Sequence, residues 1–137
     1  MSRELNVLIV DDSLIMRVNL VRSIEGIGHK VVEQSADGRS SIEAYEKCKP
    51  DLVTMDITMP DMDGITAVEK IKEIDAEANV IMVTSHGQES MVMNALKAGA
   101  KGYILKPVSP EKLREAIGKI FPELESVVGD ELLEDSE

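Results

Sequence analysis

Five short apolar runs, separated by segments with helical periodicity, constrain the fold of this chain more than any other feature. The runs are rich in Val and Ile and end at polar or turn residues, which is typical of strands buried on both faces of a sheet. They begin near residues 5, 31, 51, 79 and 101. The segments between them repeat apolar residues at helical spacing, with a start signal at Ser13 and stop signals at Pro50 and Gly99. The pattern is therefore (βα)5.

The spacing of 20 to 28 residues between successive runs leaves room for one helix in each gap. Parallel strands joined by helices form right-handed crossovers, which place helices on both faces of the sheet. We therefore predict an α/β fold with a doubly wound, five-stranded parallel sheet. Ligands of such folds bind outside the carboxyl ends of the strands, at the topological switch point.

Polar residues that can bind ligands or take part in chemistry follow four of these runs. They are Asp11 and Asp12 after LNVLIV, Asp56 after DLVTM, Thr84 after NVIMV, and Lys106 after GYIL. Because parallel strands share one carboxyl edge, we expect three carboxylates, a hydroxyl and an ammonium group to converge there. Acidic residues after strands are often only helix caps or turn formers. That interpretation suits any one of these residues but not all five at successive strand ends.

Three clustered carboxylates repel one another, and two charges ~5 Å apart cost roughly 3 kcal/mol at an effective dielectric constant near 20. A cation must offset this repulsion, and hard oxygen ligands without nearby His or Cys select Mg²⁺ over zinc. Lys106 adds a positive group that can pair with Asp56 or with a phosphoryl oxygen. Without a ligand, a raised pKa of Asp56 would compete with metal binding. A carboxylate in such a site can attack phosphorus and form an aspartyl phosphate.

Composition excludes several other classes of protein. At 137 residues with 43% hydrophobic residues, the chain suits one domain with an aliphatic core, since it has one Phe, two Tyr and no Trp. The formal net charge of −11 opposes binding to nucleic acid or anionic membranes. No apolar stretch approaches the ~20 residues that span a bilayer. We expect a cytoplasmic monomer, with Cys48 as a small buried residue.

The acidic charge is concentrated at the C-terminal end. Seven acidic residues and no Lys or Arg follow Lys119, which leaves 19 acidic against 15 basic residues in residues 1–119. We predict an acidic tail over residues 122–137, since Pro122 and Gly129 interrupt helix formation there. Its Leu and Val residues either pack on the final helix or a partner, or belong to a solvated extension.

Five short motifs carry a resemblance to a known family. They are Val10-Asp11-Asp12-Ser13, Asp56 within MDITMPDMDG, Thr84-Ser85, Ala98-Gly99-Ala100 and Lys106-Pro107. Together they resemble the receiver domain of two-component response regulators, and in particular its stand-alone chemotaxis members, over about residues 5–120. The resemblance implies a flavodoxin-like fold with strand order 2-1-3-4-5 and a receiver domain over residues 1–121.

In that family, the residue matching Asp56 accepts a phosphoryl group from a histidine kinase. The implied roles are Mg²⁺ binding by Asp11, Asp12, Asp56 and the main-chain carbonyl of Thr58, phosphate binding by Lys106, and a switch hydroxyl at Thr84. The resemblance further implies that the protein is not an enzyme with a separate substrate. It would catalyse only its own phosphorylation and dephosphorylation.

Three more positions are identified through the resemblance. Tyr103 matches the aromatic residue whose rotamer reports the state of the site, and an ordinary half-buried strand residue is the alternative interpretation. Thr58 and His86 stand two residues beyond Asp56 and Thr84, where the family tunes hydrolysis of the acyl phosphate. His86 could orient water or face solvent. His29 lies in a turn, and we expect no chemical role for it.

The implied partners are a CheA-like histidine kinase, an output protein such as a flagellar switch component, and a phosphatase. A phosphorelay intermediate or phosphate sink is the second interpretation, because such proteins share every site residue. An aspartyl-phosphate hydrolase of the haloacid dehalogenase type is disfavoured, since Thr58 stands where that class has its acidic general acid. A flavin binder is also disfavoured, because Asp11 and Asp12 would repel a cofactor phosphate.

Overall fold

Five strands alternate with five helices along the chain. The computed structural model describes residues 3–124. The strands are β1 (Asn6–Val10), β2 (Lys30–Ser35), β3 (Leu52–Met55), β4 (Val80–Thr84) and β5 (Gly102–Leu105). The helices are α1 (Leu14–Gly26), α2 (Gly38–Cys48), α3 (Gly64–Ile74), α4 (Glu89–Ala98) and α5 (Pro110–Ile120). The predicted (βα)5 succession is confirmed.

The strands form one parallel sheet in the order β2-β1-β3-β4-β5. This confirms the flavodoxin-like order implied by the resemblance. The chain reverses direction across the sheet at β1, so the gap between β1 and β3 is the switch point. β1 pairs with β3 so that Val10 lies opposite Met55. The residues that follow these two strands therefore emerge side by side.

Two aliphatic cores hold the helices against the sheet. One core lies between the sheet and α2, α3 and α4, and it includes Tyr45, Val68 and Ala95. The other lies between the sheet and α1 and α5, and it includes Leu20 and Leu113. The division confirms helices on both faces, since strand residues alternate between the two cores.

Local signals start and stop the helices as predicted, with two differences in burial. The Ser13 side chain accepts a hydrogen bond from the Met16 amide and caps α1. Gly99 ends α4 at φ 114°, a left-handed conformation that favours glycine. Leu96 belongs to the apolar pattern of α4 but is 45% exposed. Cys48 was expected to be buried but is only partly buried at the end of α2.

Beyond α5, the described residues extend to Leu124. Phe121 and Leu124 are buried against the core that includes α5, and residues 122–124 are helical again. The predicted tail over residues 122–137 lies mostly outside the described residues. The boundary between a receiver domain and a tail at residue 121 therefore stays a prediction.

Candidate phosphoacceptor and metal site

Three carboxylates meet at the switch point of the sheet. Asp11 follows β1, Asp56 follows β3, and the Asp56 amide donates to the carbonyl of Val10 at 3.0 Å. One oxygen from each of Asp11, Asp12 and Asp56 lies within 4.8 Å of the others. Asp11 and Asp56 are buried, with 1% and 6% of their surface exposed, whereas Asp12 is exposed. The predicted convergence of the three carboxylates is therefore present, and the adjacent residues Asp11 and Asp12 differ in solvent access.

Main-chain amides hold the two buried carboxylates in place. Asp56 Oδ1 accepts a hydrogen bond from the Ile57 amide at 2.9 Å, and Asp11 Oδ1 accepts one from the Ser13 amide at 2.9 Å. Arg17 Nη1 donates to the main-chain carbonyl of Asp11 at 2.7 Å. Each buried carboxylate thus keeps one oxygen bound to the protein and a second oxygen for other contacts.

Lys106 contributes the cation of the site. Its Nζ lies 2.9 Å from Asp11 Oδ2 and 3.7 Å from Asp56 Oδ2. The sequence predicted that Lys106 pairs with Asp56 or with a phosphoryl oxygen. The contact with Asp56 is present, and the contact with Asp11 is shorter. One ammonium group therefore neutralises part of the charge of two buried carboxylates.

The pKa of Asp56 is set by its burial and by the charged groups around it. Burial raises the pKa of Asp56, and the nearby charges of Asp11 and Asp12 raise it further. Lys106 and the Ile57 amide oppose this shift of the pKa by stabilising the carboxylate. The folded chain therefore gathers more negative charge at this edge than its own lysine balances.

The donor set fits a small divalent cation. Three carboxylates supply hard oxygen ligands at one point, and Asp12 leaves the site open to solvent. Mg²⁺ binds through a few carboxylates and retains several waters, which suits an open acidic edge. The main-chain carbonyl of Thr58, also predicted as a ligand, is not among the described contacts of the three carboxylates. Its role stays a prediction.

The other three predicted residues, Thr58, Thr84 and Tyr103, meet around a fourth, His86. Its Nε2 lies 2.7 Å from Thr58 Oγ1, and its amide donates to Thr84 Oγ1 at 3.3 Å. The Tyr103 hydroxyl donates to the main-chain carbonyl of His86 at 2.5 Å. Thr84 is fully buried, whereas His86 and Tyr103 are partly buried. The expectation that His86 either orients water or faces solvent missed its three contacts with the other predicted residues.

Two residues that support the loop after β3, which carries Asp56, were missed by sequence analysis. A Cβ atom on Gly64 would overlap the main-chain oxygen of Asp56, so the start of α3 passes directly against the loop. Asp61 accepts hydrogen bonds from the amides of Gly38 and Arg39 at 2.9 Å each, which ties the loop to the N-terminus of α2. The sequence gives no signal for either contact, because each one joins residues that belong to different elements.

The fold and the site define a class of protein: a doubly wound α/β domain with an acidic, lysine-bearing edge at its switch point. The family model described as "Response regulator receiver domain" matches residues 7–118. The chain belongs to this family, as the resemblance predicted. The family consists of response regulators rather than of enzymes that act on a separate substrate.

Two chemotaxis proteins are similar to this chain over most of its length. It is 49% identical to the chemotaxis protein CheY of Bacillus subtilis (strain 168), over 82% of this chain and 94% of that protein. It is 46% identical to the chemotaxis protein CheY of Thermotoga maritima, over 83% of this chain and 95% of that protein. The chain is therefore a CheY-like response regulator.

Two solved structures have a fold similar to that of this chain. A chain of the CheX-CheY-BeF3-Mg+2 complex from Borrelia burgdorferi matches with a TM-score of 0.82 and 39% identity, over 85% of this chain and 88% of that chain. A CheY-like receiver domain protein from Methanospirillum hungatei matches with a TM-score of 0.80 and 31% identity, over 90% and 98%. Among the helices described here, none is long and apolar enough to cross a membrane.

Proposed function

We propose that this protein is a phosphorylation switch in which Asp56 accepts a phosphoryl group from a histidine kinase. A carboxylate oxygen of Asp56 attacks the phosphorus of the kinase phosphohistidine, the P–N bond breaks, and the leaving imidazole takes a proton. The observation that carries this proposal is the Lys106 ammonium group, which lies 2.9 Å from Asp11 and 3.7 Å from Asp56. It can contact phosphoryl oxygens without moving far from either carboxylate.

The residues at the strand ends divide the remaining tasks. Asp11, Asp12 and Asp56 would hold Mg²⁺, together with the main-chain carbonyl of Thr58. When bound, Mg²⁺ supplies positive charge for the phosphoryl oxygens. Lys106 supplies further positive charge next to Asp56, and the acceptor of the phosphoryl group is the protein itself, so no separate substrate is consumed.

Thr84 and its neighbours would carry the signal away from Asp56. The Thr84 hydroxyl can donate to a phosphoryl oxygen, which would change its contact with the His86 amide. His86 also contacts Tyr103, which lies on β5 at the edge of the sheet. The surface formed by α4, β5 and α5 would then differ between the two states and bind different partners.

The output we propose is control of the flagellar motor switch in chemotaxis, in the cytoplasm and by a monomer. The CheY relatives, which match over more than 80% of this chain, support this choice. The kinase would be CheA-like, and a phosphatase would reset the switch. The receiver domain would occupy residues 1–121 and the acidic tail residues 122–137.

A phosphorelay intermediate or phosphate sink remains the second candidate, because its site chemistry is the same. Pull-down with the phosphorylated protein separates the two. Recovery of a flagellar switch component supports the chemotaxis proposal, whereas recovery of only a phosphotransferase contradicts it. An aspartyl-phosphate hydrolase is a poorer candidate because Thr58 cannot act as an acidic proton donor.

Intact mass after incubation with Mg²⁺ and a small acyl phosphate tests the central step. We expect the wild type to gain one phosphoryl group and Asp56→Asn to gain none. Asp63→Asn is the matched control, since Asp63 caps α3 and Asn caps helices equally well. A wild type that gains no mass would contradict the proposal. If Asp56→Asn gained the phosphoryl group equally well, another residue would be the acceptor.

A further inference from the structure

A groove of about 350 Å³ runs between the edge strand β5 and helix α5. Its apolar lining includes Ala116 and the side chain of Leu105, which is 45% exposed. Lys112 and Lys119 also line it, seven residues apart on α5, so they lie on one helix face about 10 Å apart along the axis. The groove thus combines an exposed apolar centre with a lysine at each end.

The lysines of this groove are available for an anionic partner. Lys112 Nζ donates to the carbonyls of Leu105 and Pro107, at 3.3 Å and 3.0 Å, and contacts no carboxylate among residues 3–124. Lys119 Nζ lies 3.5 Å from Glu115, but both side chains are about 70% exposed, and such pairs contribute little. Glu115 lines the groove as well, so the two lysines leave it with a net charge of +1.

The chain itself supplies an acidic, partly apolar segment that begins six residues after Lys119. Residues 125–137, ESVVGDELLEDSE, contain six acidic and no basic residues together with two Val and two Leu. They follow Leu124, which is buried a few residues beyond the end of α5. Thirteen residues span at most about 43 Å when extended, and about 20 Å on average as a flexible coil. Either length exceeds that of the groove.

We propose that residues 125–137 dock into the groove between β5 and α5 of the same chain, with their acidic side chains on Lys112 and Lys119 and aliphatic side chains against Leu105. Tethering supports this contact, since a short linker gives an effective concentration in the millimolar range. Even a weak site is then substantially occupied.

The larger groove between α3 and α4, about 770 Å³, is a poorer match for the same segment. Asp63 and Glu69 line it against a single Lys97, so it would repel an acidic chain. It also lies on the opposite face of the sheet from α5. Charge and position therefore both favour the groove between β5 and α5.

Docking of the segment would cover part of the surface that we propose for output. Tyr103 and Leu105 line the groove, and Tyr103 contacts His86 through its hydroxyl. A partner that binds β5 and α5 would then compete with the chain's own tail. This regulatory consequence rests on the proposed function, whereas the docking itself does not.

Amide NMR spectra of the full, unphosphorylated chain test the docking directly. The comparison is between the wild type and a variant with three tail charges removed, Glu131→Gln, Glu134→Gln and Asp135→Asn. At low salt we expect amide shift differences confined to β5 and α5. They should shrink strongly near 1 M salt, where the screening length falls to about 3 Å.

Variants in the groove provide the matched control. Lys119→Gln should abolish most of the difference that the tail substitutions cause, and Lys97→Gln on α4 should leave it intact. The absence of shift differences, or differences centred on α3 and α4, would overturn the proposal. Shifts that depend on protein concentration would also overturn it, since they would mean that the tail binds a second copy. None of these outcomes depends on phosphorylation of Asp56.

Discussion

The side chains of Thr58 and His86 meet at 2.7 Å, between Oγ1 and Nε2, and join the loop after β3 to the loop after β4. The first loop carries Asp56, and the second follows Thr84. Thr58 lies two residues after Asp56, and His86 lies two residues after Thr84. Their contact is on the exposed side of the site. A bridge at this position can restrict the approach of water to a phosphoryl group on Asp56.

We expect loss of this bridge to shorten the lifetime of the phosphorylated protein. A typical hydrogen bond contributes about 0.5–1.5 kcal/mol, so Thr58→Val and His86→Phe should each speed phosphoryl loss by roughly 2-fold to 12-fold. Decay of the phosphorylated protein, followed by intact mass after removal of the phosphodonor, measures this rate.

The double variant decides whether the two residues act through their contact. If the bridge restricts water, Thr58→Val combined with His86→Phe should lose the phosphoryl group no faster than the faster single variant. Additive effects of the two substitutions would show that each side chain acts alone.

Substitution of Asp56, the proposed phosphoacceptor, should stabilise the fold. Asp56 is buried beside Asp11, with Asp12 close by, and Lys106 only partly balances the three charges. We expect Asp56→Asn to raise the free energy of unfolding by about 1–2 kcal/mol at pH 7 without metal, because it removes repulsion between charges within 5 Å. Urea denaturation measures the change.

The same experiment tests metal binding without any phosphoryl transfer. Mg²⁺ should raise the urea midpoint of the wild type and shift that of Asp56→Asn much less, since a ligand stabilises only the state that binds it. Asp63→Asn, which retains a helix cap outside the acidic cluster, should respond to Mg²⁺ like the wild type. Equal responses of wild type and Asp56→Asn would contradict a role for Asp56 as a ligand.

The contact between Gly64 and the phosphoacceptor loop predicts a severe effect of a small substitution. A Cβ at Gly64 would overlap the main-chain oxygen of Asp56, so Gly64→Ala must displace the loop. We expect a loss of about 3 kcal/mol or more in unfolding free energy, because the obstacle is backbone. Gly26→Ala is the control, since no atom lies within 4 Å of its Cβ position. It ends α1 and should be neutral or stabilising by up to about 1 kcal/mol.

His29 predicts a pH dependence of stability. Its Nδ1 accepts a hydrogen bond from the Leu5 amide at 3.0 Å, and burial lowers its pKa from 6.5, although Glu4 opposes the shift. Above pH 6.5 the ring is neutral in both states and this stabilisation is complete. As the pH falls below 6.5, the unfolded chain takes up the proton first, so stability is lost until the pH passes the lowered folded pKa.

His29→Asn isolates this effect. An amide oxygen can accept from the Leu5 amide without titrating. Urea midpoints between pH 8 and 5 should therefore fall more for the wild type than for the variant, by no more than about 1 kcal/mol because the ring is partly exposed. Parallel pH profiles would contradict the assignment. Sequence analysis expected no chemical role for His29, and its contact with Leu5 is a structural one.

The sequence by itself determined the succession of strands and helices and which charged residues follow the strands at one edge of the sheet. Both follow from local patterns: buried parallel strands are short Val and Ile runs, and the residues that end them must meet at one edge. Asp11, Asp12, Asp56 and Lys106 were found in this way. The family resemblance added His86, Thr58 and Tyr103 as positions of interest, but not their contacts with one another.

Only the tertiary structure decided which of these groups touch. The closer partner of Lys106 is Asp11, 95 residues away, and His86 joins Thr58 to Tyr103. The close approach of Gly64 to Asp56 was also invisible in the sequence. Such contacts join loops from different strands, and differences of an ångström in how those loops pack decide them. Periodicity records which face of an element a residue occupies, but not the distance from its side chain to another loop.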